Sequence, residues 1–299
     1  MQKSTGKRHL LGTPLEAFAA YCAEHQLPGF RARQVYEWVY RKGATGFDEM
    51  TNLSRALREQ FSRDWDIYTS RVVRRQESTD GTVKLLLEWP DGATSECVMI
   101  PDGDRRTACI SSQVGCPVGC RFCASGLTGL QRQLTAGQIV EQAMRIRQIC
   151  EFPDRIADGS RPGSAPAVLP ILTPGPEPIR GGDVAIVRRG RAAAPPPSPR
   201  PARESRREPR LHRLSNIVFM GLGEPLGNYG AVLSAIRIIN AEWGMNIGAR
   251  KITVSTVGLP SQIRRLAGED LQINLALSLH APNDALRREL IPWAERISI

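Results

Sequence analysis

The chain has 299 residues, with 40 lysines and arginines against 30 acidic residues and a formal net charge of +10. That length suits one large domain with an appendage or two ordinary domains, and a 41% apolar fraction supports a packed core and excludes wholesale disorder. No apolar run approaches the roughly 20 residues that span a bilayer, and residues 1–7 lead into no signal-peptide segment, so a cytoplasmic chain with a polyanionic partner such as RNA or DNA is expected.

Residues 1–65 read as short helices of a small basic module. Thr13-Pro14-Leu15-Glu16 has the form of an N-cap, a proline at the first helical position and a capping-box glutamate. A second helix is expected over 31–41, with Val35, Trp38 and Val39 on one face and Gly43 as its stop, and a third over 53–61. Arg31, Arg33, Arg41 and Lys42 make the module basic; a solvated face and an RNA-gripping face both stay open. Over 66–107 strand signals take over. Segments 67–75, 82–89 and 94–100 are rich in Val, Ile, Leu and Thr and are separated by Asp80-Gly81 and Pro90-Asp91-Gly92, which predicts an antiparallel meander.

From Ala108 the rhythm becomes strand, loop, helix. Strands over 108–112, 216–220, 251–256 and 272–278 alternate with helices near 135–149, 231–241 and 261–267, the first opened by a Thr135/Gln138 capping box. Four such units imply parallel strands with right-handed crossovers, hence an α/β open sheet or barrel with its chemistry in loops at the C-terminal strand ends. Residues 151–212 interrupt this rhythm with 13 of the 22 prolines and 11 arginines against 7 acidic residues. The run Pro195-Pro196-Pro197-Ser198-Pro199-Arg200-Pro201 fits neither helix nor ladder, so a disordered spacer is expected.

Seven cysteines stand at 22, 97, 109, 116, 120, 123 and 150, an odd number that argues against a disulfide framework in a reducing compartment. Cys116-Pro117-Val118-Gly119-Cys120-Arg121-Phe122-Cys123 spaces three thiols by four and three residues. Thiolates select zinc or iron–sulfur clusters. Structural zinc wants four closed ligands, usually from two separated pairs, and no second pair follows. Three cysteines on a cubane leave one iron open to a small molecule.

This spacing resembles that of the radical S-adenosylmethionine enzymes. The flanks Thr107-Ala108-Cys109-Ile110-Ser111-Ser112-Gln113-Val114-Gly115-Cys116, Met220-Gly221-Leu222-Gly223-Glu224-Pro225-Leu226 and Ser278-Leu279-His280-Ala281-Pro282-Asn283-Asp284 resemble one family among them, as do Phe30-Arg31-Ala32-Arg33-Gln34-Val35 and Phe47-Asp48-Glu49-Met50-Thr51-Asn52-Leu53-Ser54. That is the RlmN family of RNA methyltransferases, dual-specificity enzymes acting on C2 of adenosine in 23S rRNA and tRNA. The resemblance covers nearly the whole chain outside 151–212. It implies a partial (β/α) barrel of the radical SAM type over 108–299, interrupted at 151–212, with an N-terminal helical RNA-binding module (1–65) and a β-meander extension (66–107).

By that resemblance Cys116, Cys120 and Cys123 would ligate a [4Fe–4S] cluster. Its open iron would chelate S-adenosylmethionine, which an electron from a donor such as flavodoxin cleaves to a 5′-deoxyadenosyl radical. Gly223, Glu224, Ser255, Ser278, Leu279 and His280 match the family's cofactor contacts. Read alone, Gly223-Glu224-Pro225 is a tight turn with a solvated carboxylate, the serines are strand-end caps, and His280 is a surface histidine. Cys109 matches the thiol that forms a transient disulfide with a methyl-carrying cysteine and so releases product; alone it reads as a buried strand cysteine. Glu96 matches the acceptor of the C2 proton. Strand alternation sets Glu96 beside Val98 and Ile100, a partly apolar setting expected to raise its basicity, with a carboxylate reaching water from an edge strand as the alternative.

The family's methyl-carrying cysteine lies near the C-terminus, after further βα units and an asparagine that contacts the cofactor. Here no cysteine follows residue 150, so the expectation is a C-terminally truncated member, a monomer, that does not methylate RNA through a cysteine-borne methyl group. Two rival readings share part of these signals. The adenine-C8 rRNA methyltransferases share the quoted motifs, although the N-terminal resemblance favours C2. A nonenzymatic RNA-binding protein with a zinc or iron–sulfur knuckle would leave Gly223-Glu224-Pro225 and the βα repeats without a use.

Overall fold

A computed structural model describes residues 6–152 and 212–298. The expected disordered spacer lies outside the described residues except at its margins, residues 151, 152 and 212. Among the described residues no helix is long and apolar enough to cross a membrane.

The N-terminal segment forms β1 (Arg8–His9), α1 (Leu15–Glu24), α2 (Phe30–Tyr40), α3 (Arg55–Asp64) and β2 (Trp65–Asp66), with β1 and β2 paired in parallel. Helices this short do not persist alone. Here they converge on Phe18, whose ring lies 5.0–5.7 Å from those of Tyr21, Tyr36, Phe61 and Trp65. Two local expectations are corrected. Thr13 does not cap α1, because its hydroxyl donates to the His9 carbonyl oxygen at 2.9 Å, and the extended Pro14 stands at the cap position instead. On α2 the buried face is Ala32, Val35, Tyr36, Val39 and Tyr40; Trp38 sits at its shoulder, with Nε1 donating to Asn52 Oδ1 at 2.7 Å. Ser54 caps α3 by accepting from the Leu57 N–H at 3.3 Å.

The meander comprises β3 (Arg71–Glu77), β4 (Val83–Glu88) and β5 (Thr94–Asp102), followed by β6 (Arg105–Cys109). After it come the short antiparallel pair β7 (Gln113–Gly115) and β8 (Leu130–Gln133), then α4 (Ala136–Glu151) with the expected Thr135/Gln138 capping box. The remaining units are β9 (Asn216–Phe219) with α5 (Tyr229–Asn240), β10 (Ile252–Thr256) with α6 (Pro260–Ala267), and β11 (Asn274–Leu277) with α7 (Asp284–Leu290). One seven-stranded sheet runs in the order β11-β10-β9-β6-β5-β4-β3. Within it β6 is the pivot, antiparallel to β5 and parallel to β9, so meander and parallel strands are continuous.

Alternation gives this sheet two faces. Val83, Leu85, Leu87, Ser95, Cys97, Met99, Ala108, Ile217, Phe219, Ile252 and Val254 are buried on one face. Their core is continuous with Ile139, Ala143 and Ile146 of α4 and Ile236 and Ile239 of α5. The cross-strand partners Val98↔Cys109, Cys109↔Val218, Val218↔Thr253 and Thr253↔Asn274 line the other face, which is only half covered.

Candidate functional site

The three thiols lie on the loop that joins β7 to β8. Gly115 turns the chain out of β7 with φ +74°, and its neighbour Cys116 donates its N–H to the Gly129 carbonyl oxygen at 3.1 Å. Gly119 supplies a second left-handed turn at φ +68°. The Cys120 carbonyl then accepts the Cys123 N–H at 3.1 Å and the Cys123 carbonyl accepts the Gly126 N–H at 3.0 Å. On its far side the loop is pinned by the Arg121 N–H, which donates to the Leu290 carbonyl oxygen at 2.9 Å at the end of α7. Val118 packs there on Val257, Ile291 and Ala294, with Cys116 and Cys120 against the same cluster.

Each of the three thiols is half-buried. Burial pushes the Cys116 thiol up and the Cys120 thiol up to about 11, and the neighbouring thiols and Glu224 push the same way. The three sulfurs therefore stand within electrostatic reach of one another and of a carboxylate. Among the described residues no three His, Cys, Asp or Glu side chains close to the spacing of a single metal ion. As a donor set, three soft thiolates on one pinned loop fit a cationic centre with several metal corners.

The other candidates cluster at the carboxyl ends of the parallel strands, where such sheets place their sites. Beyond β9, Gly223 has φ +103°, and a Cβ there would come within 2.6 Å of Gln113 Cβ, so a larger residue is excluded. The Glu224 side chain is not solvated. It is 3% exposed, with Oε1 accepting the Leu226 N–H at 3.0 Å and Oε2 accepting the Val257 N–H at 2.9 Å. Burial raises its pKa against these hydrogen bonds. Ser255 on β10 and Ser278 just past β11 meet hydroxyl to hydroxyl at 3.0 Å rather than capping their own strands. His280 adopts φ +59°, rare for a residue with a side chain, and its ring lies 4.6 Å from that of Phe122 in the cysteine loop. The loop and the last described strand end thus meet through an aromatic contact. Phe122, Leu127, Met220 and Leu277 are each at least half exposed and form an apolar rim around these strand ends.

Cys109 ends β6 on the half-covered face; burial raises its pKa and a hydrogen bond from the Met220 N–H opposes the rise. Glu96 lies on that face with Val98, as alternation requires, but its apolar setting is corrected. Its side chain is 42% exposed and Oε1 lies 3.2 Å from Lys84 Nζ, because Lys84 on β4 is a diagonal cross-strand neighbour on the same face.

The buried polar residues that hold these groups escaped the sequence reading. Ser111 donates its hydroxyl to the Glu96 carbonyl at 2.7 Å and accepts the Leu222 N–H at 2.9 Å. Gln142 of α4 locks the Ser111 backbone by accepting its N–H and donating to its carbonyl, both at 2.9 Å. Gln113 accepts the Glu224 N–H at 2.8 Å, and Asn228 donates to the carbonyls of Ser112 and Leu134 at 2.8 and 2.7 Å. The polar run Ser111-Ser112-Gln113, set between an apolar strand and the cysteine motif, was the available signal. Ser111→Ala leaves two partly buried backbone groups without this partner and is expected to cost about 1–3 kcal/mol; an unchanged urea midpoint would contradict this.

Comparison with known proteins places the chain. Residues 8–67 match the family model described as the ribosomal RNA large subunit methyltransferase N-terminal domain. A protein of Rhodopirellula baltica named "Probable dual-specificity RNA methyltransferase RlmN" is 38% identical over 99% of this chain and 65% of its own length. A protein of Opitutus terrae named "Probable dual-specificity RNA methyltransferase RlmN 3" is 39% identical over 98% of this chain and 67% of its own length. The crystal structure of a radical SAM methyltransferase from Sphaerobacter thermophilus matches with a TM-score of 0.75 and 36% identity, over 96% of this chain and 68% of that one. The chain spans about two thirds of the length of the curated relatives it matches. By these matches, and by the cysteine loop and strand ends that carry the family's motifs, the chain belongs to the RlmN family of radical S-adenosylmethionine methyltransferases.

Proposed function

We propose that these residues form the cofactor-binding and substrate-facing part of a radical SAM methyltransferase that modifies C2 of adenosine in 23S rRNA and tRNA. The observation that supports it most is convergence. The cysteine loop, the Gly223–Glu224 turn, the Ser255–Ser278 pair and His280 meet at one end of the parallel strands, and the half-covered face beside them carries Cys109 and Glu96. Cys116, Cys120 and Cys123 would hold a [4Fe–4S] cluster and leave one iron for S-adenosylmethionine. When bound, this pair supplies a carbon radical, which suits the electron-poor C2 position better than polar methyl transfer does.

The chain's own residues have the remaining tasks. Glu224 keeps the end of β10 against the Gly-rich turn through Val257, so the backbone at Gly223 stays open for close approach by the cofactor. Ser255 and Ser278 offer hydroxyls, and the exposed apolar rim offers a surface that a bound cofactor or base would cover. Glu96 would take the C2 proton. Its carboxylate lies 3.2 Å from Lys84 Nζ, which holds it on the half-covered face. Cys109 would form the transient disulfide with a methyl-carrying cysteine that releases the product. None of the seven cysteines follows residue 150, so that carrier role falls to none of these residues.

The test reads the cofactor steps. Anaerobic reconstitution of the full chain with iron and sulfide should give about four irons per chain and, with reductant, conversion of S-adenosylmethionine to 5′-deoxyadenosine and methionine. Each of Cys116→Ala, Cys120→Ala and Cys123→Ala should abolish the cleavage. A wild-type chain that takes up zinc and no iron would instead support an RNA-binding knuckle.

A further inference from the structure

Arg287 in α7 is a buried cation, 4% exposed, that none of the cofactor contacts uses. Its Nη2 donates to the Val257 carbonyl oxygen at 2.5 Å and its Nη1 to the Ile297 carbonyl oxygen at 3.1 Å, while its Nε–H is buried with no acceptor. Two neutral carbonyls orient a guanidinium but do not cancel its charge. Among the described residues no acidic side chain stands at ion-pair distance from it. Asp284 and Glu289 share α7 with it and lie beyond that distance. Glu224 is linked to it only through the Val257 peptide, with Oε2 accepting the Val257 N–H and Oε1 the Leu226 N–H. A buried charge is costly unless an anion answers it.

The surroundings of Arg287 lead to the cysteine loop. Val257 and Ile291 form an aliphatic cluster with Val118 and Ala294, and Cys116 and Cys120 pack against it. Arg287 is bonded to two of its members, to Val257 through Nη2 and to Ile291 through its own carbonyl oxygen, which accepts the Ile291 N–H at 2.8 Å. The guanidinium and two of the three cysteines therefore abut one aliphatic cluster. Such a layer holds little water and screens charge poorly. Three thiolates on a four-iron core make an anion, and one added electron makes it more negative. A cation fixed beside that layer favours the more negative state. Arg288, the next residue, is exposed, where water and salt screen its charge.

We propose that Arg287 is the buried countercharge of the iron–sulfur centre: it touches no iron or sulfur, and its field eases the one-electron reduction of the cluster. The proposal rests on the cluster reading of Cys116, Cys120 and Cys123. The reduction makes and breaks no bond; one electron passes to the cluster from an external reductant, in the assay titanium(III) citrate, which becomes titanium(IV). The anaerobically reconstituted full chain would be titrated with that reductant and redox mediators at about pH 6.5, where a buried ammonium keeps its proton more readily. Electron paramagnetic resonance counts the reduced cluster. At an effective dielectric of about 20, one charge across an apolar layer changes a charge equilibrium about tenfold. Arg287→Gln should therefore lower the ratio of reduced to oxidised cluster at a fixed poise about tenfold, a fall of about 59 mV in midpoint for one electron. Arg287→Lys keeps the charge and should stay within about threefold of wild type. Arg288→Gln removes the same charge from the exposed side of α7 and should stay within about twofold.

Iron content, and urea midpoints of the metal-free proteins, are read alongside. Where Arg287→Gln does not load iron, Arg287→Met, an apolar replacement of similar length, takes its place. An unchanged potential in the charge-free variant, a shift as large in Arg287→Lys, or an equal shift in Arg288→Gln would each overturn the proposal. So would loss of the fold in both charge-free variants before any metal is added, which would make Arg287 a brace between β10 and α7. Charge-free variants that fold like wild type yet hold no cluster support the proposal when Arg287→Lys holds one, and overturn it when Arg287→Lys fails as well. A wild-type chain that takes up no iron sinks the cluster reading and the countercharge with it, whereas an iron-loaded wild type with indifferent variants sinks the countercharge alone.

Discussion

Replacing Glu141 with alanine is expected to lower the unfolding free energy near neutral pH by about 3–5 kcal/mol. Glu141 belongs to α4, is fully buried, and binds the segment that leads from the N-terminal helices into the sheet. Its carboxylate accepts the N–H and hydroxyl of Thr69, both at 2.9 Å, the Ser70 N–H at 2.8 Å, and the Ser70 hydroxyl. His9 Nε2 lies 3.2 Å away and Arg145 Nη2 3.5 Å away. Alanine would leave the buried Ser70 N–H and hydroxyl, and the partly buried Thr69 pair, without this acceptor, and an unpaired buried group costs more than the bond it loses.

The same residue gives the protein an acid-sensitive term. Burial, the largest influence, would raise the Glu141 pKa, but the hydrogen bond and charge of His9, the Arg145 charge and the Ser70 hydroxyl overcome it and bring it down to about 2. A folded-state pKa below the unfolded one means that the contribution is fully present above the unfolded value of 4.5 and is lost as pH falls through about 2. Over that window the shift corresponds to about 3 kcal/mol. Urea unfolding from pH 7 down to pH 2.5 should show wild-type stability falling steeply below pH 4.5, with Glu141→Gln less stable at pH 7 and flatter through the window. Parallel curves for the two proteins would remove Glu141 as the source.

What the sequence made legible was local. The Thr135/Gln138 box announces α4, and the alternation of Val83, Leu85 and Leu87 announces β4, because caps and periodicity act within a few residues. Four βα units are readable on the same grounds, as is the presence of Glu96 and Val98 on one face. The partners of that face are not readable, because cross-strand register depends on residues far apart in the chain. Lys84 reaches Glu96 only because β4 pairs with β5 in one register, and Ser255 reaches Ser278 only because β10 and β11 lie side by side. The double role of β6 is of the same kind: a strand's own residues do not state whether its neighbour runs parallel. Thr13 failed for the opposite reason, since two acceptable local bonds compete for one hydroxyl and the His9 carbonyl wins. Left-handed His280 leaves no mark in the sequence at all.

Two glycines of the cysteine loop allow sterics to be separated from backbone strain. Gly115 and Gly119 both have positive φ, +74° and +68°, so alanine at either carries the left-handed penalty of about 1–2 kcal/mol. Their surroundings differ. A Cβ on Gly119 meets nothing within 4 Å, whereas one on Gly115 would overlap the Gly129 carbonyl oxygen, the acceptor that closes the loop through the Cys116 N–H. That oxygen is backbone and cannot rotate away, so the β7–β8 pair itself must shift and carry Cys116 with it. Gly119→Ala is therefore expected to lose only the strain penalty and to assemble an iron–sulfur centre at close to the wild-type iron content. Gly115→Ala should lose about 3 kcal/mol and retain little iron after the same reconstitution. Urea midpoints of the metal-free proteins, read beside iron and sulfide analysis, check both halves. If the two variants bind iron equally well, the closed register of β7 and β8 does not hold the three thiols in place, and the loop's geometry has to come from its contacts with α7 instead.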